Sequence, residues 1–354
     1  MKTTIDKAAA KFLKMAITET AREWKGVPNM LGAKAKGGRV SIGYFSAQID
    51  GLPDGAYMFS PEAAKILAGK NPVITTCDLG LDAAYLSDDS GARASLDCLT
   101  PDDIPELNDA AGSVLVTVSF DRDVFLSRFT VAAAAASKEE SRKVLMSVFV
   151  KIENGEMIFA GTDGRRLHEL TYNCSGPGEL PEGRIYNPRV AVALKAFNGT
   201  IKMDIHDRDT IFSGGGFSFR ARHIEGTYPS YRQVIPTGGK AYSLPSNWRS
   251  IFAAAAKIKS DCSLCLDGVN ATIDGGSGAP IKNEGGRQIG REPGKLVFSA
   301  PFVVPGLPLV YFNPQFMADF GLFEGEPELW IIDGFSPARL EFPNGRAAVM
   351  PCRF

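Results

Sequence analysis

The chain alternates short apolar–polar segments with amphipathic helical segments, and this alternation predicts one recurring folding unit. Three copies combine a capping residue, a proline and a closing glycine. They are AYMFSPEAAKILAG from Ala56, RIYNPRVAVALKAFNG from Arg184 and LVYFNPQFMADFGLFEG from Leu309. Ser60, Asn187 or Asn313 can accept a hydrogen bond from a free amide of the first helical turn. The proline that follows lacks the amide that would stay unpaired there.

Three looser copies alternate with these, and their helices are predicted to begin near Asp6, Asp121 and Ser246. Between the helices lie alternating segments such as FVKIENGEMIFAGTD, which predict strands joined by a turn at Asn154-Gly155. Six units predict an α+β fold with helices on one face of antiparallel sheets. Pairing the units predicts three similar domains of two strand-helix-strand units each, with boundaries where proline, glycine and acidic residues cluster: residues 1–110, 111–238 and 239–354.

Composition narrows the class of protein. The 354 residues are 44% hydrophobic and 22% charged, with a net charge of −1, which is typical of a globular protein. No apolar run reaches the 18 or more residues that cross a bilayer, and the first residues do not resemble a secretory signal, so we expect a cytoplasmic protein. The six cysteines are expected to be reduced thiols. Cys262 and Cys265 form a single CxxC without a second pair, which does not predict a zinc site.

Charge is unevenly distributed. The six predicted helices together are net positive and the rest of the chain is net negative. This distribution suits a protein whose helical face meets phosphates while its outer surface repels them.

Three stretches carry a family resemblance. They are AGTDGRRLHEL around Thr162, HIEGTYPSYRQVIP around Tyr231, and VMPCRF from Val349. Together with the six-unit plan, they resemble the bacterial sliding clamp, the beta subunit of DNA polymerase III, over the whole chain. The resemblance implies the DNA clamp fold and a homodimer in which two chains close head to tail into a ring around duplex DNA. Helices would line the hole and antiparallel sheets would form the outer wall.

The resemblance implies a processivity factor that tethers polymerase, clamp loader and repair proteins and catalyses nothing itself. Such a ring needs only few, non-specific DNA contacts, because topology keeps it on DNA. Partners would bind through short apolar peptides. The deeper part of their pocket would comprise Leu145, Thr162, Gly164, Arg165, Arg166, Leu167, Pro229, Val234, Pro337, Val349 and Met350, and the shallower part Asn313, Phe316, Pro351, Cys352 and Arg353.

This chain departs from the family pattern at several of these positions. Arg165 stands where the family usually has His, and Ala94 occupies a position where some clamps place a bulky apolar group in the ring joint. Lys143-Val144 stand where some clamps place an aromatic pair that contacts DNA, and we expect Lys143 to contact phosphate instead. The DNA-contacting candidates are therefore Lys11, Lys14, Lys25, Lys143, Arg189 and Arg249.

Two other functions remain as alternatives. A chain with the clamp fold could compete for clamp partners without being loaded on DNA. A DNA-processing enzyme is less favoured, because His168, His206 and His223 form no HExxH or Ser-His-Asp signature. GREPGK from Gly290 lacks the spacing of a phosphate-binding loop, and the glycine-rich stretch from Gly275 to Gly294 predicts a flexible surface loop. We expect no cofactor and no metal.

Overall fold

The computed structural model provides side-chain detail for most of the chain. The structure describes residues 2–23, 25, 31–50, 52, 54–60, 63–76, 84–99, 102, 104, 112–174, 178–258, 263–274, 280–282, 288–291 and 296–352. Of the proposed site residues, Arg353 lies outside the described residues, as do Cys77 and Cys262.

Short antiparallel strands and a few helices make up these ranges. The strands are β1 (Lys2–Thr4), β2 (Gly32–Lys36), β3 (Arg39–Ile42), β4 (Phe45–Gln48), β5 (Gly55–Met58), β6 (Val73–Thr76), β7 (Ala84–Ser87), β8 (Arg93–Leu99), β9 (Val116–Asp121), β10 (Val148–Glu153), β11 (Glu156–Thr162), β12 (Arg166–Asn173), β13 (Leu180–Tyr186), β14 (Thr200–Ile205), β15 (Asp209–Gly214), β16 (Phe217–Arg222), β17 (Lys240–Ser243), β18 (Leu264–Leu266), β19 (Asn270–Asp274), β20 (Pro280–Lys282), β21 (Gln288–Arg291), β22 (Leu296–Pro301), β23 (Val310–Phe312), β24 (Glu328–Ile331), β25 (Ala338–Phe342) and β26 (Gly345–Val349). The α-helices are α1 (Lys7–Glu23), α2 (Ala63–Ile66), α3 (Arg122–Ala134), α4 (Val190–Leu194), α5 (Trp248–Ala256) and α6 (Pro314–Asp319).

The chain divides into two compact units. Unit 1 contains residues 1–126, 174–180 and 186–223, and unit 2 contains residues 127–173, 181–185 and 224–354. The predicted division into three domains stays a prediction, because each of the two units contains residues from more than one predicted domain.

Unit 1 is built on one antiparallel sheet. Its strand order within the described residues is β1-β6-β7-β8-β5-β2-β3-β4-β16-β15-β14-β9. The pairing of β4 with β16 joins strands of the first and second predicted domains. Helix α1 buries one apolar face, on which the Phe12 ring stacks on Phe217 with 4.6 Å between ring centres. The helix face that opposes this core is left for polar side chains.

Unit 2 contains a second large antiparallel sheet with the order β13-β10-β11-β12-β26-β25-β24-β17, and a smaller one with the order β22-β19-β18-β23. Strand β26 lies between β12 and β25, and so joins the second and third predicted domains. The core of this unit includes Phe129, Phe159, Trp248 and Phe252, all fully buried. The fold class, helices with antiparallel sheets, is as predicted.

Most local predictions are confirmed. Asn154 and Gly155 have φ of 54° and 76° and join β10 to β11, as a two-residue Asn-Gly hairpin requires. Asp6 accepts hydrogen bonds from the amides of Ala8 and Ala9 at 2.7 and 2.8 Å, which caps α1 as expected. Asn313 caps α6 in the same way, through the amides of Gln315 and Phe316.

The fifth helix begins close to Ser246, as predicted: Asn247 holds the N-cap position of α5, although its side chain makes no capping hydrogen bond. The amide of Trp248 donates to the Pro245 carbonyl. One prediction is wrong. The stretch from Gly275 to Gly294, predicted to be a flexible loop, contains the antiparallel pair β20–β21, because apolar and β-forming residues interrupt its glycines. None of the helices in the described ranges combines the length and hydropathy that crossing a bilayer requires.

Candidate functional site

Backbone pairing in unit 2 brings two of the three family stretches together. Strand β12 pairs with β26 so that Arg166 lies opposite Val349. Just beyond the strand, the Met350 amide donates to the Arg165 carbonyl at 2.8 Å. The TDGRRL stretch and the MPCR stretch are therefore neighbours in space although they are far apart in sequence.

The third stretch packs against the same sheet. Its residues Tyr228, Tyr231 and Ile235 form one buried apolar cluster with Leu167 and Ala348. A 3₁₀ turn over Tyr231–Val234 leaves Val234 at the surface with 58% of its side chain exposed. All three stretches thus line one region of unit 2.

A tight turn connects β11 to β12 in this region. The Thr162 hydroxyl donates to the Arg166 carbonyl at 2.5 Å, and Gly164 adopts φ of +86°, a conformation that favours glycine. The Asp163 carboxylate accepts the amides of Arg165 and Arg166 at 2.9 and 3.0 Å. These bonds fix the direction in which both arginines leave the turn.

Arg166 is buried and its charge is compensated inside the protein. Its guanidinium pairs with Asp163 at 3.2 Å and with Asp319, and donates to the Ala134 carbonyl at 2.8 Å. The guanidinium carbon lies 4.4 Å from the centre of the Phe316 ring. Arg166 therefore links the deeper residues to α6, which carries Phe316 of the shallower ones.

The proposed pocket residues comprise buried members, half-buried members and an exposed set. Leu145, Asn313, Phe316, Pro337 and Cys352 are half-buried, and the Cys352 amide donates to the Tyr311 carbonyl at 2.7 Å. The fully buried members are Thr162, Arg166, Leu167, Val349 and Pro351, and the exposed ones are Gly164, Arg165, Pro229, Val234 and Met350. Such an arrangement, apolar surface with a few oriented polar groups, suits a short apolar peptide.

Of the residues proposed to contact DNA, some are already bonded to groups of the protein and others are exposed. In unit 1, the Lys11 ammonium donates to the Lys195 carbonyl at 2.7 Å and Arg189 pairs with Glu19 at 2.6 Å. In unit 2, Arg249 pairs with Glu326 at 2.6 Å and stacks on Trp248. Lys14, Lys25 and Lys143 are exposed and form no ion pair with any described residue. Their charges are the ones available to a phosphate.

A buried carboxylate, Glu169, holds the turn that carries Tyr231 and Arg232 against β12. Glu169 accepts hydrogen bonds from the Tyr231 hydroxyl at 2.6 Å, Arg232 Nε at 3.0 Å and Arg346 Nε at 2.8 Å. Burial raises the pKa of Glu169, but the bond from Tyr231 and the charges of Arg346 and Arg232 outweigh burial and lower it overall. Burial also raises the pKa of Tyr231, so the phenol stays protonated and donates. Tyr231 and Arg232 belong to one of the three family stretches and Glu169 belongs to another. Nothing in the sequence indicated that these residues are partners.

Two further features were also missed. Phe335 lies two residues before Pro337 in the sequence, and 71% of its side chain is exposed. His168 is fully buried on the opposite side of β12 from Glu169, and its Nδ1 lies 2.7 Å from the Val131 carbonyl. Among the described residues, no three His, Cys, Asp or Glu side chains gather as a metal site.

Sequence comparison finds beta sliding clamps, while no family model matches the chain. The chain is 30% identical over 145 residues to the "Beta sliding clamp" of Chlamydia muridarum, covering 38% of this chain and 37% of the relative. It is 26% identical over 196 residues to that of Escherichia coli, covering 52% and 46%. The matched region thus spans a third to a half of the length of these relatives.

Comparison of structures extends the likeness to the whole chain. The DNA polymerase III beta subunit of Thermotoga maritima superposes with a TM-score of 0.77 at 18% identity, covering 100% of this chain and 99% of the other. The beta sliding clamp of Pseudomonas aeruginosa bound to griselimycin superposes with a TM-score of 0.78 at 17% identity and full coverage of both. The chain has the beta sliding clamp fold. The resemblance drawn from the three stretches is confirmed, at sequence identities of 17% to 30% with the proteins compared.

A cavity of about 270 Å³ on unit 2 is lined by Glu169, Arg232, Glu341 and Arg346 among others. None of the proposed pocket residues lines it. Its two arginines are paired with Glu169.

Proposed function

We propose that the chain is a ring-forming sliding clamp that encircles duplex DNA and holds a polymerase through a peptide pocket in unit 2. The observation that carries this proposal is the assembly of Leu167, Val234 and Met350 in one region of a chain that has the clamp fold from end to end. The proposal includes a homodimer, because six domains joined edge to edge, three from each of two chains, would be needed to close the ring.

The chemistry of the pocket supports binding without catalysis. Its exposed members are apolar apart from Arg165, and its buried arginine is neutralised by two carboxylates. Val234 and Met350 are exposed apolar side chains on two of the three family stretches. A partner peptide would bury them, and a ring tethered in this way would keep the polymerase at the primer end.

Encirclement can be tested without a clamp loader, since a preformed ring threads onto linear DNA only through an open end. The protein is added to a linear duplex either before or after both ends are blocked with streptavidin, and the DNA is washed at high salt. Retention only when the protein precedes the block would support a ring. Equal retention in both orders, or none in either, would contradict encirclement.

The pocket can be tested with two matched valines. Val234 and Val269 are 58% and 60% exposed, so neither contributes much to folding, and Val269 lies in the turn between β18 and β19 rather than in the proposed pocket. We expect Val234→Ser to weaken binding of an apolar polymerase peptide about tenfold, equivalent to ~1.4 kcal/mol, while Val269→Ser leaves it unchanged. Equal effects of the two variants would exclude this pocket.

One observation favours the second candidate, a clamp-fold protein that competes for partners without encircling DNA. Arg189 and Arg249 of the proposed DNA contacts are paired with carboxylates, and Lys11 is held by a backbone carbonyl. Peptide binding combined with failure of the end-threading test would establish that function instead.

A further inference from the structure

We propose that Arg165 selects partner peptides that carry an acidic side chain next to their apolar anchor. This inference rests on the proposed function, because it names the chemistry of the peptide that the pocket would take. Among the described residues of the proposed pocket, Arg165 is the one exposed side chain that carries a positive charge.

The first support is the position of the Arg165 backbone. Its carbonyl accepts the Met350 amide at 2.8 Å, and its own amide is held by Asp163 at 2.9 Å. The backbone of Arg165 is therefore fixed beside the exposed apolar side chain of Met350. A peptide that covers Met350 would pass close to this cation.

The second support is that the nearby carboxylates already have partners. Asp163 is occupied by two backbone amides and by the Nε of Arg166 at 3.2 Å. Asp319 pairs with Arg166, and Glu139 pairs with Arg142 at 3.0 Å. Within the described part of the chain, no carboxylate pairs with the Arg165 guanidinium.

The third support is that the other two arginines of this turn are already paired. Arg142, whose guanidinium donates to the Asp163 carbonyl at 3.3 Å and lies beside Gly164, forms an ion pair with Glu139. Arg166 forms ion pairs with Asp163 and Asp319. The Arg165 guanidinium is therefore the one left for an incoming carboxylate, which would gain a charge-assisted hydrogen bond that an amide of the same shape cannot match.

The test compares peptides that differ in charge alone. Acetylated, C-terminally amidated peptides with one leucine and one phenylalanine anchor are scanned with Asp or Asn at each remaining position. Amidation removes the terminal carboxylate, so any preference for Asp reports a side chain. At low salt we expect Asp to bind about three- to tenfold tighter than Asn at one position or more, and the ratio to shrink in 1 M salt.

Three variants assign the preference to Arg165. In Arg165→Gln the Asp-to-Asn ratio falls to about one, whereas in Arg142→Gln, the control whose charge Glu139 already balances, the ratio persists. In Arg165→His the preference returns at pH 5.5 and is lost at pH 8, because an exposed imidazole gains its charge below about pH 6.5. Each position is exposed, so folding should be retained, and circular dichroism checks it.

The outcomes separate this inference from the proposed function. Equal binding of Asp and Asn peptides, or a preference that survives Arg165→Gln, overturns the role of Arg165 and leaves the pocket intact. Failure of every peptide to bind overturns the pocket, and this inference with it.

Discussion

The guanidinium carbon of Arg166 lies 4.4 Å from the centre of the Phe316 ring, while the same group pairs with Asp319 three residues further along α6. One buried cation thereby fixes a helix turn to the start of β12. Because a cation over an aromatic face and a buried ion pair are both stronger away from water, this contact has consequences that can be measured.

Replacing Arg166 by Met should destabilise unit 2 by about 3 kcal/mol, because Asp163 and Asp319 would lose their partner while remaining largely buried. Urea titration followed by tyrosine and tryptophan fluorescence measures the change. Arg165→Gln, one residue away and exposed, serves as the control and should stay within about 0.5 kcal/mol. Similar midpoints for both variants would refute the role given to Arg166.

Glu169→Gln should cost about 3 kcal/mol and also weaken peptide binding, because Tyr231 and two arginines lose the charge that holds them against β12. Unfolding titrations and peptide affinity are measured on the same preparation. Glu341→Gln is the matched control, since its pair with Arg339 involves a carboxylate that is 38% exposed. An unchanged peptide affinity in Glu169→Gln would show that the pocket wall does not depend on this carboxylate.

Two asparagines at helix starts offer a direct test of capping. Asn313 caps α6 with its side chain, whereas the side chain of Asn247 at the start of α5 makes no such bond. We expect Asn313→Ala to lower the free energy of unfolding by about 1 kcal/mol and Asn247→Ala to change it little. Thermal unfolding distinguishes them, and a larger loss at Asn247 would contradict the assignment.

His168 should make stability fall in weak acid. Burial, aided by the charge of Arg166, lowers its pKa from 6.5 to about 4 in the folded protein. Between these two values the unfolded chain binds the proton and the folded one does not, so the free energy of unfolding decreases as pH falls from about 6.5 to 4, by up to ~1.4 kcal/mol per pH unit. Above pH 6.5 this residue contributes no pH dependence.

The His168 effect is isolated with Asn, whose amide nitrogen can keep the hydrogen bond to Val131 without titrating. Urea midpoints at pH 7.5, 6.0 and 5.0 are compared. The wild type should lose more stability over this interval than His168→Asn. Parallel pH profiles for the two proteins would show that another group controls the acid response.

Lys14 and Arg189 should differ in their effect on DNA binding. Because Glu19 already neutralises Arg189, Arg189→Gln should change the salt dependence of DNA affinity little. Lys14→Gln should reduce the slope of log affinity against log salt by about one, as expected for one lost phosphate contact. Fluorescence anisotropy on a short duplex measures both slopes, and the reverse order would reassign the contacts.

The features that could be predicted from the sequence are those decided within a few residues. Asp6, Asn313 and the Asn154-Gly155 turn act on their own neighbours, and the structure confirms all of them. The start of the fifth helix near Ser246 is confirmed as well, but the Trp248 amide bonds to the Pro245 carbonyl and the Asn247 side chain makes no cap. Local chemistry alone could not choose between a backbone and a side-chain partner for this amide.

The candidate site depended on a different kind of information. The strand pairing of Arg166 with Val349 follows from the whole sheet, and only the family resemblance, not periodicity, pointed to it. The partners of Glu169 could not be predicted because Arg346 is 177 residues away and a glutamate in a strand ordinarily faces solvent. For the same reason, the pairing of Arg189 with Glu19, 170 residues apart, was not foreseen.

The position of β26 between β12 and β25 also sets when the pocket can exist during synthesis. A nascent chain that has already released β12 from the ribosome still lacks the strand that pairs with its free edge, and must wait until residue 349 has emerged. Until then the edge of β12 is open and Met350 is absent. If the proposed pocket is correct, a polymerase peptide would therefore find its binding surface only on a chain whose translation has passed this strand.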